Sequence, residues 1–176
     1  MVLIIAYGND LREDDGAGLL LAKQLTAALQ DLGIAVRHIA VQQLMPELAV
    51  DIAREDVSTV VFVDARPGTL PDDRHVLVAP IDPTGESTPS LGHHFLPDVL
   101  MLYASVLSPH DPLPPAWLVT IPGVAFGYGQ GISDVARNAI QSAFDDQASQ
   151  LRRLIAKLSI ANRAAAARPD ATKPPT

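Results

Sequence analysis

The 176-residue chain contains no cysteine. That absence excludes disulfides, thiolate metal sites and proteolysis by a cysteine nucleophile. Positive charge is also scarce: 13 Lys and Arg stand against 20 Asp and Glu, a net charge of −7. A nucleic-acid binder needs a basic face, so that class of partner is set aside. An acidic surface remains compatible with metals and basic peptides. No apolar run approaches membrane-spanning length. The opening Met1-Val2-Leu3-Ile4-Ile5-Ala6-Tyr7 has no basic n-region and too short an apolar stretch for a signal peptide. The expectation is a cytoplasmic protein with no membrane partner. Two hydrolase signatures are missing as well: there is no H-E-x-x-H helix for zinc and no G-x-S-x-G nucleophile elbow. For a hydrolase, water activated by or near a metal is then the simple route that remains.

What is present describes an ordinary globular protein, 48% hydrophobic and 19% charged. The length suits one domain with a proper core, expected over residues 1–163, followed by a frayed Ala/Pro-rich tail over 164–176. No internal repeat is visible. Val2–Ala6 reads as a strand buried on both faces. Gly16 to Leu32 carries Leu21, Leu25, Ala28 and Leu32 at helical spacing, with Gly33 as a stop. Ile34–Val41 predicts a second strand, Met45 to Arg54 a short helix, and Val57–Val63 a third strand. That strand ends at Asp64, before the turn chemistry of Ala65-Arg66-Pro67-Gly68. His75–Val78 predicts a short edge strand, since Pro80 and Pro83 follow. Pro97 to Leu107 predicts a helix and Trp117–Ile121 a strand. A glycine-rich loop from Pro122 to Ile132 leads to a last helix, capped by Ser133-Asp134 and burying Ile140, Phe144, Leu151, Ile155 and Leu158. Strands alternating with helices predict a three-layer α/β/α sandwich on a twisted, mostly parallel five-stranded sheet with one antiparallel strand.

Gly8-Asn9-Asp10-Leu11-Arg12-Glu13-Asp14-Asp15-Gly16-Ala17-Gly18 is the most informative stretch. Phosphate loops after a first strand are glycine-rich and free of negative charge, because their N–H groups must face an anion. This loop holds three consecutive carboxylates, Glu13, Asp14 and Asp15, and so invites a cation. One carboxylate suffices to cap the helix that follows; three exceed that need. Asp64, at the carboxyl end of a central strand, lies where open parallel sheets collect ligands. It either receives N–H bonds from the following turn or joins Asp14 or Asp15 in a site. His93 and His94, between a polar loop and a helix, add imidazole; with carboxylates that set suits zinc, nickel and related divalent ions. His38, His75 and His110 are background.

These residues carry a resemblance. The chain resembles the hydrogenase maturation proteases, endopeptidases that trim the C-terminus of the large subunit of nickel–iron hydrogenase. The family pattern G-N-x-L-x-x-D-[DE]-x-x-G matches Gly8 to Gly18 throughout. A strand ending in D-A is found as Val61-Phe62-Val63-Asp64-Ala65. A histidine before a leucine-rich helix is found as Gly92-His93-His94-Phe95-Leu96-Pro97-Asp98-Val99-Leu100. Gln42-Gln43-Leu44-Met45-Pro46-Glu47-Leu48 and Phe126-Gly127-Tyr128-Gly129-Gln130-Gly131-Ile132-Ser133 also look like the family, so the likeness covers about residues 1–160 in order.

The resemblance implies a metal-contacting set of Asp15, Asp64 and His93, with His94 as the alternative to His93. The first ligand is often glutamate in the family and is aspartate here, one methylene shorter. The implied substrate and partner is a large-subunit precursor that already carries nickel. The nickel then comes with the precursor and is the recognition signal, although another divalent metal fits the same donors. Asp15 and Asp64 are the implied catalytic carboxylates, with Asp14 either a general base or a helix cap and Glu13 solvated. The glycines from 127 to 131 are expected to flank the cleft and let a peptide backbone approach. The protein is expected to be a monomer. Two other readings are a non-catalytic metal-binding maturation chaperone of the same fold and a nucleotide-binding α/β domain.

Overall fold

The apolar run after Met1 forms β1 (Val2–Tyr7), and Val2 to Ala6 are buried on both faces of the sheet. The computed structural model of the chain describes residues 1–68, 73–82, 96–108 and 112–166. After β1 come α1 (Ala17–Asp31), β2 (Val36–Val41), α2 (Leu48–Ile52) and β3 (Thr59–Pro67). β4 (Leu77–Ile81), α3 (Pro97–Leu107), β5 (Ala116–Gly123), α4 (Asp134–Asp145) and α5 (Gln150–Ala166) complete the order. The five strands make one sheet in the order β2-β1-β3-β5-β4. All pairs are parallel except β4 with β5.

Alternation along the strands sorts the core into two layers. Ile4, Ala6, Val61, Val63, Val119 and Ile121 point to α1, α4 and α5. Leu3, Ile5, Val60, Phe62 and Ala116 point to α2 and α3. The sheet is therefore covered on both sides, as the period-free apolar runs of β1 and β3 require. This is the three-layer α/β/α sandwich expected from the sequence.

Several boundaries differ from expectation, each for a local reason. α1 stops in a Schellman motif: Gly33 has φ +74°, the Gly33 N–H donates to the Gln30 carbonyl and the Ile34 N–H to the Leu29 carbonyl. Its buried stripe runs Leu21, Leu25, Leu29, leaving Leu32 49% exposed rather than in the core. β3 does not end at Asp64. Pairing with β5 carries it on through Ala65 and Arg66 to Pro67, opposite Gly123, so the expected turn at Ala65–Gly68 is strand. The antiparallel strand is Leu77–Ile81 rather than His75–Val78, and it contains Pro80, which an edge strand tolerates.

The single last helix is two. Asp146 accepts the Ala148 N–H on its side chain and Ser149 then caps α5 by accepting the Arg152 N–H, which breaks the run between α4 and α5. The expected Ser133 cap is present, its hydroxyl accepting the Ala136 N–H at 3.2 Å. α5 runs through Ala166, past the expected limit of 163; the rest of the predicted tail, 167–176, lies outside the described residues. Among the described residues no helix is long and apolar enough to cross a membrane.

Candidate functional site

α1 links β1 to β2 on one face of the sheet, and α2 links β2 to β3 on the other. β2 and β3 thus lie on either side of β1, reached over opposite faces, and the carboxyl ends of β1 and β3 bound a crevice where the connections part. β1 makes its last pair with β3 at Ala6 opposite Val63. Asp64, the next residue of β3, therefore lies just past the end of that pairing. α1 comes close at the same level, since a Cβ on Gly18 would lie 3.1 Å from the Asp64 Cα. The second glycine of the Gly16-Ala17-Gly18 run is thus explained by packing onto Asp64.

The acidic loop begins at Gly8, whose φ of +140° only glycine adopts at low cost. A Cβ there would fall 2.1 Å from the Asp15 carbonyl oxygen, so the loop closes tightly on itself. Asp15 accepts the Asn9 N–H at 2.9 Å, and the Asn9 side chain accepts the Leu11 N–H at 2.9 Å. The main chain passes through a short 3-10 turn over Glu13–Gly16 into α1.

Asp15 and Asp64 open into one cleft of about 450 Å³, lined also by Tyr7, Asn9, Arg12, Gln42, Gln43, Leu44 and Leu96. Asp64 accepts the Ala65 N–H at 2.8 Å and a hydrogen bond from the Tyr7 hydroxyl. Burial pushes the Asp64 carboxyl up to about 7 and the nearby Asp15 adds to the shift, while the Ala65 and Tyr7 hydrogen bonds oppose it. Burial, then the charge and hydrogen bond of Asp64, holds the Tyr7 phenol well above its ordinary value of 10.0, so Tyr7 is a donor. A carboxyl poised near neutrality can both accept and deliver a proton.

Asp14 lies elsewhere. Its side chain is fully buried and accepts four hydrogen bonds from the loop after β5 and the start of α4. The donors are the N–H groups of Val124 at 2.8 Å, Ala125 at 3.0 Å and Ser133 at 2.6 Å, with the Ser133 hydroxyl at 2.8 Å. Burial alone would raise its pKa, but the Ser133, Val124 and Ala125 donors outweigh it and hold the carboxyl below its ordinary value. Asp14 is fully buried and has no place in the cleft lining, so its carboxylate does not face a water in the cleft. The general-base expectation is corrected on that ground. The helix-cap alternative also falls short, because the bonded helix is α4, through Ser133, rather than α1.

Glu13 is half-buried and does more than face solvent. It accepts the Gly127 N–H at 3.0 Å, while its own N–H donates to the Gly129 carbonyl and the Gly129 N–H donates to the Leu11 carbonyl. Glu13 has φ +50°, a conformation this two-sided stitching maintains. Cβ atoms on Gly127 and Gly129 would meet the Glu13 side chain at 3.2 and 3.3 Å. Those glycines therefore make room for Glu13, not for a substrate backbone. The acidic and glycine-rich loops form one welded unit, which sequence reading missed because Glu13 and Gly127 stand 114 positions apart.

The loop leaves little for a phosphate. The N–H groups of Gly8, Asn9, Leu11, Arg12, Glu13, Asp14 and Asp15 all donate within the protein, and the cleft carries carboxylates. This opposes the nucleotide-binding reading.

His93, His94 and His110 lie outside the described residues. Among the described residues no three His, Cys, Asp or Glu side chains are placed to hold a metal ion. The two carboxylates that are described supply hard oxygen donors on one side of an open cleft, a set that fits a divalent cation with positions left for other ligands. His38 sits in β2 with its Nε2 buried and unpartnered, away from the cleft lining, and His75 only lends its carbonyl to Arg66 at 3.2 Å.

No protein-family model matches the chain, and neither does any curated protein. Solved structures do match. The NiFe hydrogenase maturation protease HycI of Thermococcus kodakarensis superposes with a TM-score of 0.60 at 22% identity, covering 90% of this chain and 92% of that one. HybD of the same organism gives 0.53 at 20% identity, over 93% and 98% of the two chains. The hydrogenase maturating endopeptidase HybD of E. coli gives 0.56 at 16% identity, over 91% and 93%. These likenesses establish the fold: over about nine-tenths of its length the chain is built as those maturation proteases are.

Proposed function

We propose that the chain is an endopeptidase that removes a C-terminal peptide from the nickel-loaded precursor of a nickel–iron hydrogenase large subunit. One observation carries this reading: Asp15 and Asp64, placed in different motifs of the sequence, open side by side into one cleft at the switch point of the sheet. The fold shared with maturation proteases and the run of matching motifs support the same substrate class.

In this reading the nickel comes with the precursor, and Asp15, Asp64 and His93 contact it. Two carboxylates and one imidazole make a weak, open site, which suits a shared metal better than a resident one. Asp64, oriented by Ala65 and Tyr7, has its carboxyl pKa raised toward neutral pH by burial in the cleft, and a cation beside it would hold it as the carboxylate. Asp14 and Glu13 hold the loop that carries Asp15 and touch no substrate.

The test is processing of a nickel-loaded large-subunit precursor, followed by the shortening of its chain. Wild-type protein shortens it and leaves the nickel-free precursor intact; equal cutting of both defeats nickel recognition. Asp15→Ala, Asp64→Ala and His93→Ala each abolish processing with the fold retained. Retained cutting by His93→Ala and loss in His94→Ala transfers the role to His94. Binding of the precursor and nickel without cleavage by wild type identifies a maturation chaperone instead.

A further inference from the structure

The two edges of the sheet are finished differently. On β4, the Val78 N–H, which faces away from β5, donates to Gln150 Oε1 at 2.7 Å, and Pro80 has no N–H to offer. That edge is blunted in the way proteins protect exposed strands. β2 has no proline. Its register on β1, bounded by the Val2 N–H to the Ala35 carbonyl and the Gly8 N–H to the Val41 carbonyl, turns the main-chain groups of Arg37, Ile39 and Val41 inward. The N–H and C=O groups of Val36, His38 and Ala40 face outward, and among the described residues nothing bonds them. Open main-chain groups in this pattern match the hydrogen-bonding groups of another extended backbone.

The edge also leads somewhere. Val41 ends β2, and the next residues, Gln42, Gln43 and Leu44, line the cleft beside Asp15 and Asp64. We propose that the β2 edge receives an extended peptide as a sixth strand, and that this peptide is the tail to be removed; the inference rests on the processing reading above. With the scissile bond seated in the cleft beside Asp15 and Asp64, the tail to be removed leads away from that point. From the cleft at the carboxyl end of β2 it runs toward Val36, antiparallel to β2. Six residues of β2 span about 20 Å and pair with a tail of similar length.

Ala40→Pro tests this in the full-length protein. The Ala40 N–H points away from β1, so proline deletes an outward donor and leaves the β1 ladder intact; Ala40→Ser is the control. On a nickel-loaded precursor that wild type cuts, Ala40→Pro raises KM roughly tenfold with kcat unchanged, the loss of about one to two main-chain hydrogen bonds. On the same precursor shortened to two residues beyond the scissile bond, the two proteins behave alike. Hydrogen exchange on unaltered protein supplies the second measurement: a synthetic tail peptide slows the amides of Val36, His38 and Ala40. Unchanged KM in folded Ala40→Pro, or edge amides left unprotected by the peptide, overturns the inference. A wild type that cuts no precursor defeats the processing reading itself, which separates the two failures.

Discussion

Asp14→Ala should cost stability before it costs chemistry. The carboxylate accepts Val124, Ala125 and Ser133 N–H groups and the Ser133 hydroxyl, all between 2.6 and 3.0 Å. Hydrogen bonds to a charged group contribute roughly 1.5–3 kcal/mol each when measured singly, but they do not add when shared on one acceptor. The donors lie at a part-buried junction, so water can replace some of them after truncation. A net loss of about 3–5 kcal/mol is expected, within the range for breaking a buried charged network. For a chain of 176 residues that corresponds to a fall in Tm of about 10 °C. Asp14→Asn keeps one acceptor oxygen but turns an amide donor toward N–H groups, and should lose about 2–3 kcal/mol.

Urea and thermal unfolding measure both variants, and acid supplies an independent check. The folded pKa of Asp14 lies below its ordinary 3.8. Its contribution is therefore complete above pH 3.8 and is lost as pH falls through the lower, folded value. Wild type should lose stability in that acid window more steeply than Asp14→Ala. A variant that unfolds within about 1 kcal/mol of wild type while processing is abolished refutes the argument and restores Asp14 as a chemical participant.

Three further outcomes follow from the same geometry. Gly8→Ala places a Cβ 2.1 Å from the Asp15 carbonyl at φ +140°, so soluble yield and Tm should both collapse; a Tm within a few degrees of wild type refutes the tight loop. Asp64 has a folded pKa of about 7 against an ordinary 3.8, so it favours the folded state most below that window and stability falls as pH rises through it. Asp64→Asn should remove this fall, visible as relative stabilisation of the variant at pH 8 compared with pH 4 in urea titrations; parallel curves refute the burial argument. Tyr7→Phe removes a donor to the Asp64 carboxylate, which should raise the pH at which processing reaches half its maximum; an unchanged pH profile shows that the hydroxyl does not act on Asp64.

Much of this molecule was legible in the linear order of residues. The strands β1 and β3 announced themselves because a strand covered on both faces must be apolar at every position. Gly33 and Ser133 marked helix ends because each answers a local need, a left-handed backbone or an N-cap oxygen. Asp15 and Asp64 could be brought together on paper because topology rules place the ends of neighbouring parallel strands at one edge.

Other features depend on partners far away along the chain. Asp14 and Asp15 are adjacent and chemically identical, and nothing local distinguishes them. Only the loop after β5, folding onto the loop after β1, gives Asp14 its four donors and leaves Asp15 facing the cleft. The same loop engages Glu13 with Gly127, and β3 runs beyond Asp64 to Pro67 because pairing with β5 outweighs the turn preference of Arg-Pro-Gly. By itself, the sequence determined the layers of the sandwich and the edge of the sheet that holds the site. Tertiary structure decided which carboxylates bind the protein and which remain for a ligand, since a hydrogen bond depends on distance in space and is indifferent to separation along the chain.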